Sequence, residues 1–276
     1  MSANPFALTP RKLDLGRVLA PLHEKSLNRI LAAVRGGGIA VCMGGTGVGK
    51  TALLERVARE ALRLKITPIL IPCGGLVRDE SDLTRAILTS LYLDATGSGI
   101  QLYYKLREAT ADGRMAVLLD DITSTPISPR NLGETVRMLA DLPNFSVVLA
   151  GEPKGLNGIL RLCPSLRSRT IALERLGPID EKGTQEFLQR RADLVGLKIS
   201  PSVAKILHKA GKGIPREILK LAMRAYDLSS AREIPFEQAV EVVIGKPKTR
   251  RRAARKEARK KRRRGRIPLK IGKSTR

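Results

Sequence analysis

Residues 39–57, IAVCMGGTGVGKTALLERV, decide the fold of this chain, because an apolar run stops at a glycine-rich loop and then turns helical. Residues 39–43 predict a short buried strand, and residues 51–64 predict an amphipathic helix. Between them, Gly44 to Thr51 satisfy G-x-x-x-x-G-K-[ST], in the strand-to-helix context that a phosphate-binding loop requires. The alternative is a glycine-rich turn that matches the pattern by chance.

Each residue type in this loop has a chemical reason. Glycines let backbone N–H groups curl around the β-phosphate of ATP, and the positive end of the following helix adds to the attraction. Lys50 is expected to reach the β- and γ-phosphates, and the Thr51 hydroxyl is expected to bind Mg²⁺. The predicted ATP-binding residues are Gly44, Gly45, Thr46, Gly47, Val48, Gly49, Lys50 and Thr51.

A later strand is predicted to supply the carboxylate that a phosphate-binding loop needs for its metal. Residues 115–121, MAVLLDD, are an apolar run followed by Asp120 and Asp121. Asp120 emerges at the end of this strand and is expected to hold Mg²⁺ through water. Asp121 is expected to polarise the attacking water. The alternative is an ordinary strand-end turn, where Asp is common.

Alternation of strands and helices predicts an α/β fold with a doubly wound, parallel, five-stranded sheet. With the phosphate-binding loop after its first strand, this sheet resembles the P-loop sheet of the RecA-like ASCE proteins. Beyond residues 39–43, strands are predicted at 67–73, 115–121, 145–151 and 169–175. Strand signals stop after residue 177, and residues 180–243 predict three or four helices. The predicted domains are an N-terminal arm (1–13), a nucleotide-binding domain (14–177), a helical lid (178–245) and a basic tail (246–276).

The cysteines and the lengths of the apolar runs indicate the cellular compartment. The three cysteines, Cys42, Cys73 and Cys163, are dispersed in or beside apolar segments, which predicts buried free thiols and a reducing compartment. No run of about 18 apolar residues is present, so neither secretion nor a membrane span is expected. These features predict a cytoplasmic, nucleoid-associated protein.

The positive charge is concentrated at the C-terminal end. The chain of 276 residues has a net charge of +25, and residues 246–276 hold 17 Lys and Arg against the single Glu257, or +16. Such a segment cannot fold alone and is expected to bind the phosphates of duplex DNA without sequence preference. Acidic lipids, a nuclear localisation role and ribosomal RNA are the alternatives. The predicted contacts are Arg250, Arg251, Arg252, Arg255, Lys256, Arg259, Lys260, Lys261, Arg262, Arg263 and Arg264.

The phosphate-binding loop, the LLDD strand and the helical lid, in this order, make residues ~14–243 resemble the AAA+ ATPases. In residues 165–173, SLRSRTIAL, Arg167 and Arg169 stand where that family keeps an arginine finger aimed at a neighbouring subunit's γ-phosphate. In residues 211–218, GKGIPREI, Arg216 resembles the family's second sensor, which touches the nucleotide in cis. The resemblance therefore implies catalytic roles for these arginines, for Lys50 and for Asp121.

Two departures from the family pattern imply slow or partner-stimulated ATP hydrolysis. The family places Glu where this chain has Asp121, and Asp has a shorter reach. The family also has a small polar first sensor at the end of the fourth strand, where this chain offers only Gly151 and Glu152. We therefore expect ATP binding itself to switch the protein between states, rather than ATP hydrolysis to drive a power stroke.

Within AAA+ proteins, the chain looks most similar to two groups. One contains origin-recognition and helicase-loader ATPases; the other contains transposition helpers that coat target DNA in the ATP state. The resemblance implies a homo-oligomer, a ring or a helical filament, and a protein partner such as a transposase or a helicase. No winged helix follows residue 245, which favours the second group. A signalling NTPase of the STAND class and an RNA-associated ATPase are the alternatives.

Overall fold

A five-stranded parallel sheet forms the centre of the computed structural model, which describes residues 4–7, 23–75, 77–111 and 113–245. The strands lie in the order β2-β3-β4-β1-β5, and all neighbours are parallel, as the sequence predicted. Their bounds are β1 Ile39–Gly44, β2 Thr67–Pro72, β3 Met115–Asp120, β4 Phe145–Gly151 and β5 Thr170–Leu176.

Helices flank this sheet at nearly the predicted positions. Their bounds are α1 Glu24–Arg35, α2 Lys50–Arg63, α3 Glu80–Ser90, α4 Gly99–Ala109, α5 Pro129–Ala140, α6 Pro153–Leu162 and α7 Pro164–Arg169, with a 3-10 turn at Ile122–Ser124. The short helix α7 was not predicted. Cys163 has a non-helical backbone (φ −127°, ψ 80°) that ends α6, and Pro164 then starts a new helix at a position where proline is well tolerated.

The two faces of the sheet pack against two separate hydrophobic cores. Ile39, Val41 and Met43 of β1 face one core, whereas Ala40 and Cys42 face the other. All of β1 and β4 is buried, which explains why these strands read as continuous apolar runs. The edge strands β2 and β5 alternate between buried and exposed positions, because one face of each is open.

A separate helical lid follows the sheet, within the predicted range of three or four helices. Its bounds are α8 Glu181–Ala192, a 3-10 turn at Asp193–Val195, α9 Pro201–Gly211, α10 Pro215–Arg232 and α11 Phe236–Ile244. These helices share a hydrophobic core of their own. Phe6 belongs to the same core and is fully buried there, so residues 4–7 of the predicted N-terminal arm pack onto the lid.

Some sequence predictions fall outside the described residues. The predicted DNA contacts of residues 246–276 lie there, and so do residues 8–22. Within the described part of the chain, Cys42, Cys73 and Cys163 are free and buried, as predicted. No helix in that part has the length and apolar character needed to cross a bilayer.

Candidate nucleotide site

The phosphate-binding loop lies at the carboxyl end of β1, beside the ends of β4 and β3. Gly47 and Gly49 have φ values of 82° and 106°, in the left-handed region that only glycine adopts without strain. Helix α2 begins directly after them, at Lys50. The free N–H groups of its first turn therefore open into the loop, which makes this end of the sheet an anion site.

Lys50 places its ammonium group inside the loop. Its Nζ donates to the carbonyl oxygens of Gly44, at 2.8 Å, and Gly45, at 3.1 Å. No carboxylate pairs with Lys50 in the described ranges, so its charge is not neutralised there. An uncompensated cation held by two loop carbonyls fits a phosphate chain, whose oxygens accept from the same ammonium.

Thr51 and Asp120 meet across the site, as the sequence predicted. The Thr51 hydroxyl donates to Oδ2 of Asp120 at 2.7 Å, and the other carboxylate oxygen accepts from the Asp121 N–H at 3.0 Å. Hydroxyl and carboxylate oxygens are ligands that suit Mg²⁺. The described residues contain no cluster of three or more His, Cys, Asp or Glu that could hold a metal. Mg²⁺ would therefore take its other ligands from phosphate and water.

Asp121 is turned away from this pair. The chain leaves β3 through a left-handed backbone at Asp121 (φ 53°), a conformation that Asp tolerates better than most residues. Its Oδ2 lies beside Gly74, so that a Cβ added to Gly74 would stand 3.0 Å from it. Gly74 follows β2, on the far side of β3 from the phosphate loop. The predicted water-polarising role of Asp121 therefore requires its side chain to turn.

Arg216 brings the lid to the phosphate loop. Its backbone N–H, at the start of α10, donates to the carbonyl of Gly47 at 3.2 Å. A Cβ added to Gly47 would come within 2.9 Å of the Arg216 Cβ, so the close approach depends on glycine. The Arg216 side chain is exposed. The structure thus places the predicted second sensor against the residues predicted to hold the phosphates.

Arg167 and Arg169 lie at the opposite end of the sheet. They sit on α7, just before β5, whose first residue pairs with Ile39 while its last residue pairs with Gly44. That separation is roughly 17 Å along the strand. Arg169 Nε donates to Asp141 at 3.0 Å, whereas Arg167 is exposed and has no ion pair among the described residues. Neither arginine is near its own chain's phosphate loop.

Sequence reasoning missed His23 and a cavity next to it. His23 Nε2 donates to the carbonyl of Val48 in the loop at 2.9 Å. A cavity of about 280 Å³ opens beside His23, and its other walls are the linker after β5 and the start of α8. A lone histidine with no surrounding motif carries no signal that could have revealed this position. The cavity is lined by His23, Gly177, Pro178, Ile179, Asp180, Gly183 and Glu186.

Glu152 and two buried thiols complete the surroundings of the loop. Glu152 follows β4 and accepts from the Thr46 hydroxyl at 3.3 Å, so the residue weighed as a substitute first sensor does contact the loop. Burial raises the pKa of the Cys42 and Cys73 thiols to about 12, and the charges of Asp120 and Asp121 add to the effect at Cys73. Both thiols stay protonated at neutral pH, which makes them unreactive.

Comparison with known proteins agrees with this geometry. Residues 34–160 match the family model of the AAA domain. The Holliday junction branch migration complex subunit RuvB of Thermotoga petrophila is 27% identical over 218 residues, which are 79% of this chain and 58% of that protein. RuvB of Chloroflexus aurantiacus is 28% identical over 185 residues, 67% of this chain and 49% of that protein. The chain thus spans about half the length of these relatives.

Solved structures share the fold at low sequence identity. Aeropyrum pernix ORC2, in its ADPNP-ADP complexes, superposes with a TM-score of 0.67 at 17% identity, covering 88% of this chain and 71% of that one. Cdc6p from Pyrobaculum aerophilum gives a TM-score of 0.66 at 19% identity, covering 85% and 67%. A Walker-type ATPase of Pyrococcus abyssi gives 0.64 at 19% identity, covering 95% and 80%.

Proposed function

We propose that the chain, whose residues 34–160 match the AAA domain, is an AAA+ P-loop ATPase. On that premise it binds ATP with Mg²⁺, assembles on duplex DNA in the ATP state, and there recruits or regulates a partner protein. Transposition target selection and helicase loading are the roles that fit such an assembly. Hydrolysis is slow or stimulated by the partner, and it ends the assembled state.

The contact between Arg216 and Gly47 carries this proposal. Because the Arg216 N–H is bonded to the loop that surrounds the phosphates, helix α10 cannot keep its position if the loop rearranges. The Arg216 guanidinium stands at the far end of this residue's exposed side chain, from where it can reach a γ-phosphate. ATP and ADP therefore differ in how firmly they hold the lid, and a conformational difference of this kind can control assembly.

The remaining site residues have defined tasks. Lys50 binds the β- and γ-phosphates, and Thr51 with Asp120 holds Mg²⁺, which supplies charge neutralisation to the phosphates when bound. The cavity at His23 takes the base, because it adjoins the loop at Val48. Asp121 must turn from Gly74 before it can orient water, which supports a low intrinsic rate of hydrolysis.

Between Arg167 and Arg169, we assign the trans-acting finger to Arg167. Its side chain is exposed and has no ion pair among the residues that the structure describes. Arg169 is instead held by Asp141 and by the Ser165 carbonyl. A guanidinium at this end of the sheet can reach only another chain's phosphates, so hydrolysis depends on assembly.

The charge of residues 246–276 and the names of the RuvB relatives support DNA as the polymer that the chain binds. A segment of 31 residues with a charge of +16 attracts any polyphosphate backbone, and it contains no aromatic residue for stacking on single-stranded bases. The RuvB relatives are named for branch migration of Holliday junctions, which are made of DNA. We therefore place duplex DNA ahead of RNA.

Gel filtration with light scattering tests the proposal. The chain is run with and without duplex DNA, in the presence of ADP or a slowly hydrolysed ATP analogue with Mg²⁺. We expect large assemblies only with duplex and the ATP analogue. Assembly driven by the analogue without DNA would favour the STAND alternative, assembly on RNA alone would favour an RNA-associated ATPase, and identical profiles under all nucleotides would exclude the switch.

Arg167→Ala and Arg169→Ala form a matched pair in the same experiment. With Arg167 as the arginine finger, the Arg167→Ala variant keeps its nucleotide affinity, while its rate of DNA-stimulated hydrolysis falls about a thousandfold. Arg169→Ala keeps hydrolysis and loses only its ion pair. The reverse pattern would move the finger to Arg169.

A further inference from the structure

The N-terminal clamp, residues 4–7, is bound to the lid by contacts far apart in the sequence. Asn4 Nδ2 donates to the Met223 carbonyl at 3.1 Å and to Asp227 Oδ1 at 2.7 Å, both on α10. Phe6 is fully buried and stacks on Phe236 of α11, with ring centroids 5.6 Å apart. Four residues at the start of the chain thus complete a core that is otherwise built from its last third.

Arg191 of α8 holds the clamp from the other side. Its Nη1 donates to the carbonyls of Pro5, at 3.2 Å, and Ala7, at 2.9 Å. The residue is 4% exposed, its Nε has no partner, and no carboxylate pairs with it in the described ranges. Burying an unpaired charge is unfavourable, and these carbonyls are the acceptors that make it tolerable.

The buried charge of Arg191 lowers the free-energy cost of releasing the clamp. A guanidinium that regains contact with water when residues 4–7 leave recovers hydration that it lost on burial. That gain offsets part of the free energy lost with the apolar contacts of Phe6, so the clamp is bound less tightly than it would be in a purely apolar groove.

Helix α10 connects the clamp to the nucleotide site. Its N-terminal end carries Arg216, bonded to Gly47, and Met223 and Asp227 lie roughly 10 and 17 Å further along the same helix axis. Two attachments to one helix restrict both its position and its tilt. The clamp therefore limits how far Arg216 can move away from the phosphate loop.

We propose that residues 4–7 position α10, and through it Arg216, on the phosphate loop, so that release of the clamp weakens ATP binding while ADP binding changes little. This inference rests on the proposed role of Arg216 at the γ-phosphate. Phe6, Asn4 and Arg191 are positioning residues in this arrangement. A factor that captures the N-terminal segment would weaken ATP binding without contacting the nucleotide site.

The test combines clamp variants with Arg216→Ala in the full chain. Calorimetry gives the affinities for a non-hydrolysed ATP analogue and for ADP, and hydrogen exchange of α10 reports clamp docking independently of nucleotide. We expect Phe6→Ala to speed exchange in α10 and to weaken binding of the ATP analogue about fivefold or more. In the Arg216→Ala background the same change has no further effect, because the coupling partner is gone.

Two matched variants separate positioning from general damage to the lid. Asn4→Ala removes three hydrogen bonds, two to α10 and one from the Phe6 N–H, without opening a large cavity. It should show a smaller change of the same kind, which covers the case in which Phe6→Ala unfolds the lid. Val203→Ala makes a cavity in the same core on α9, away from the clamp, and should leave the ratio of ATP to ADP affinity unchanged.

Three outcomes would overturn the inference. One is faster exchange in α10 with unchanged affinity for the ATP analogue; another is an equal effect of Phe6→Ala with and without Arg216. The third is an equal loss of ATP affinity in Val203→Ala. Failure of the parent chain to bind ATP would instead contradict the proposed function, and the exchange data would still report whether the clamp docks.

Discussion

At the scale of single residues, sequence spacing predicted the backbone of the glycine-rich loop, because the motif specifies backbone conformation as well as chemistry. Gly47 and Gly49 occupy left-handed positions, and Thr51 meets Asp120 as the pattern required. Asp121 shows the limit of that reasoning. A side chain's direction depends on the turn that follows the strand, and here a left-handed residue turns the carboxylate toward Gly74.

Lys50→Ala tests the site at this scale. Within the part of the chain that the structure describes, the Lys50 ammonium bonds only loop carbonyls. Its removal should therefore leave the fold intact, with a melting temperature within a few degrees of the parent. Loss of the charge that faces the phosphates should weaken ATP binding at least a hundredfold by calorimetry, equivalent to about 3 kcal/mol. Lys25→Ala, an exposed lysine of α1, is the control and should bind normally. Normal affinity in Lys50→Ala would remove the phosphate assignment.

At the scale of elements, four helices begin after a residue whose side chain caps the first turn. Asp79, Ser128, Asp180 and Ser200 precede α3, α5, α8 and α9, and each side chain accepts from a backbone N–H of the first turn. Helix α7 was missed because six residues are too few to show a helical period. The clamp was missed for a different reason: its partners are about 200 positions away.

Helix α3 is followed by Tyr92 in a backbone conformation that is unfavourable for residues other than glycine. Leu93 N–H donates to the Leu88 carbonyl and Tyr92 N–H to the Thr89 carbonyl, both at 3.0 Å, which is the Schellman pattern. Tyr92 occupies its left-handed position (φ 59°), where glycine is preferred, and its side chain is 97% exposed.

Tyr92→Gly should therefore stabilise the protein. Relief of the left-handed conformation should raise the free energy of unfolding by about 1 kcal/mol, measured by urea titration. Tyr92→Ala loses the same exposed ring but keeps the unfavourable backbone, so it should give no gain. Equal stability of the Gly and Ala variants would show that the backbone at this position is not strained.

At the scale of the whole molecule, the distribution of charge and the positions of the loop and Arg167 in the sheet bear on which partners the protein binds. The tail concentrates +16 of the net +25, while residues 34–160 match the AAA domain. Opposite ends of one sheet hold the phosphate loop and Arg167, so the role proposed for Arg167 requires a second copy of the chain. Nucleotide, DNA and assembly are therefore expected to be linked.

Deletion of residues 246–276 should weaken binding to duplex DNA at least tenfold near physiological salt, by fluorescence anisotropy. Release of counterions from about ten phosphates predicts a log–log salt slope near −9 for the full chain, and the deletion should flatten it. Deletion of 267–276 alone keeps 14 of the 17 basic residues and is the matched control. Unchanged affinity after the larger deletion would place the DNA surface on the folded body.

The sequence by itself predicted the α/β class, the parallel sheet and the glycine-rich loop before α2, because these follow from contiguous patterns of apolar and glycine residues. Only the tertiary structure decided that Asp121 turns toward Gly74 and that residues 4–7 pack on α10. It also decided that Arg169 pairs with Asp141 while Arg167 has no ion pair among the described residues. These features depend on contacts between residues distant in the chain, and packing, which no local pattern encodes, selects among them.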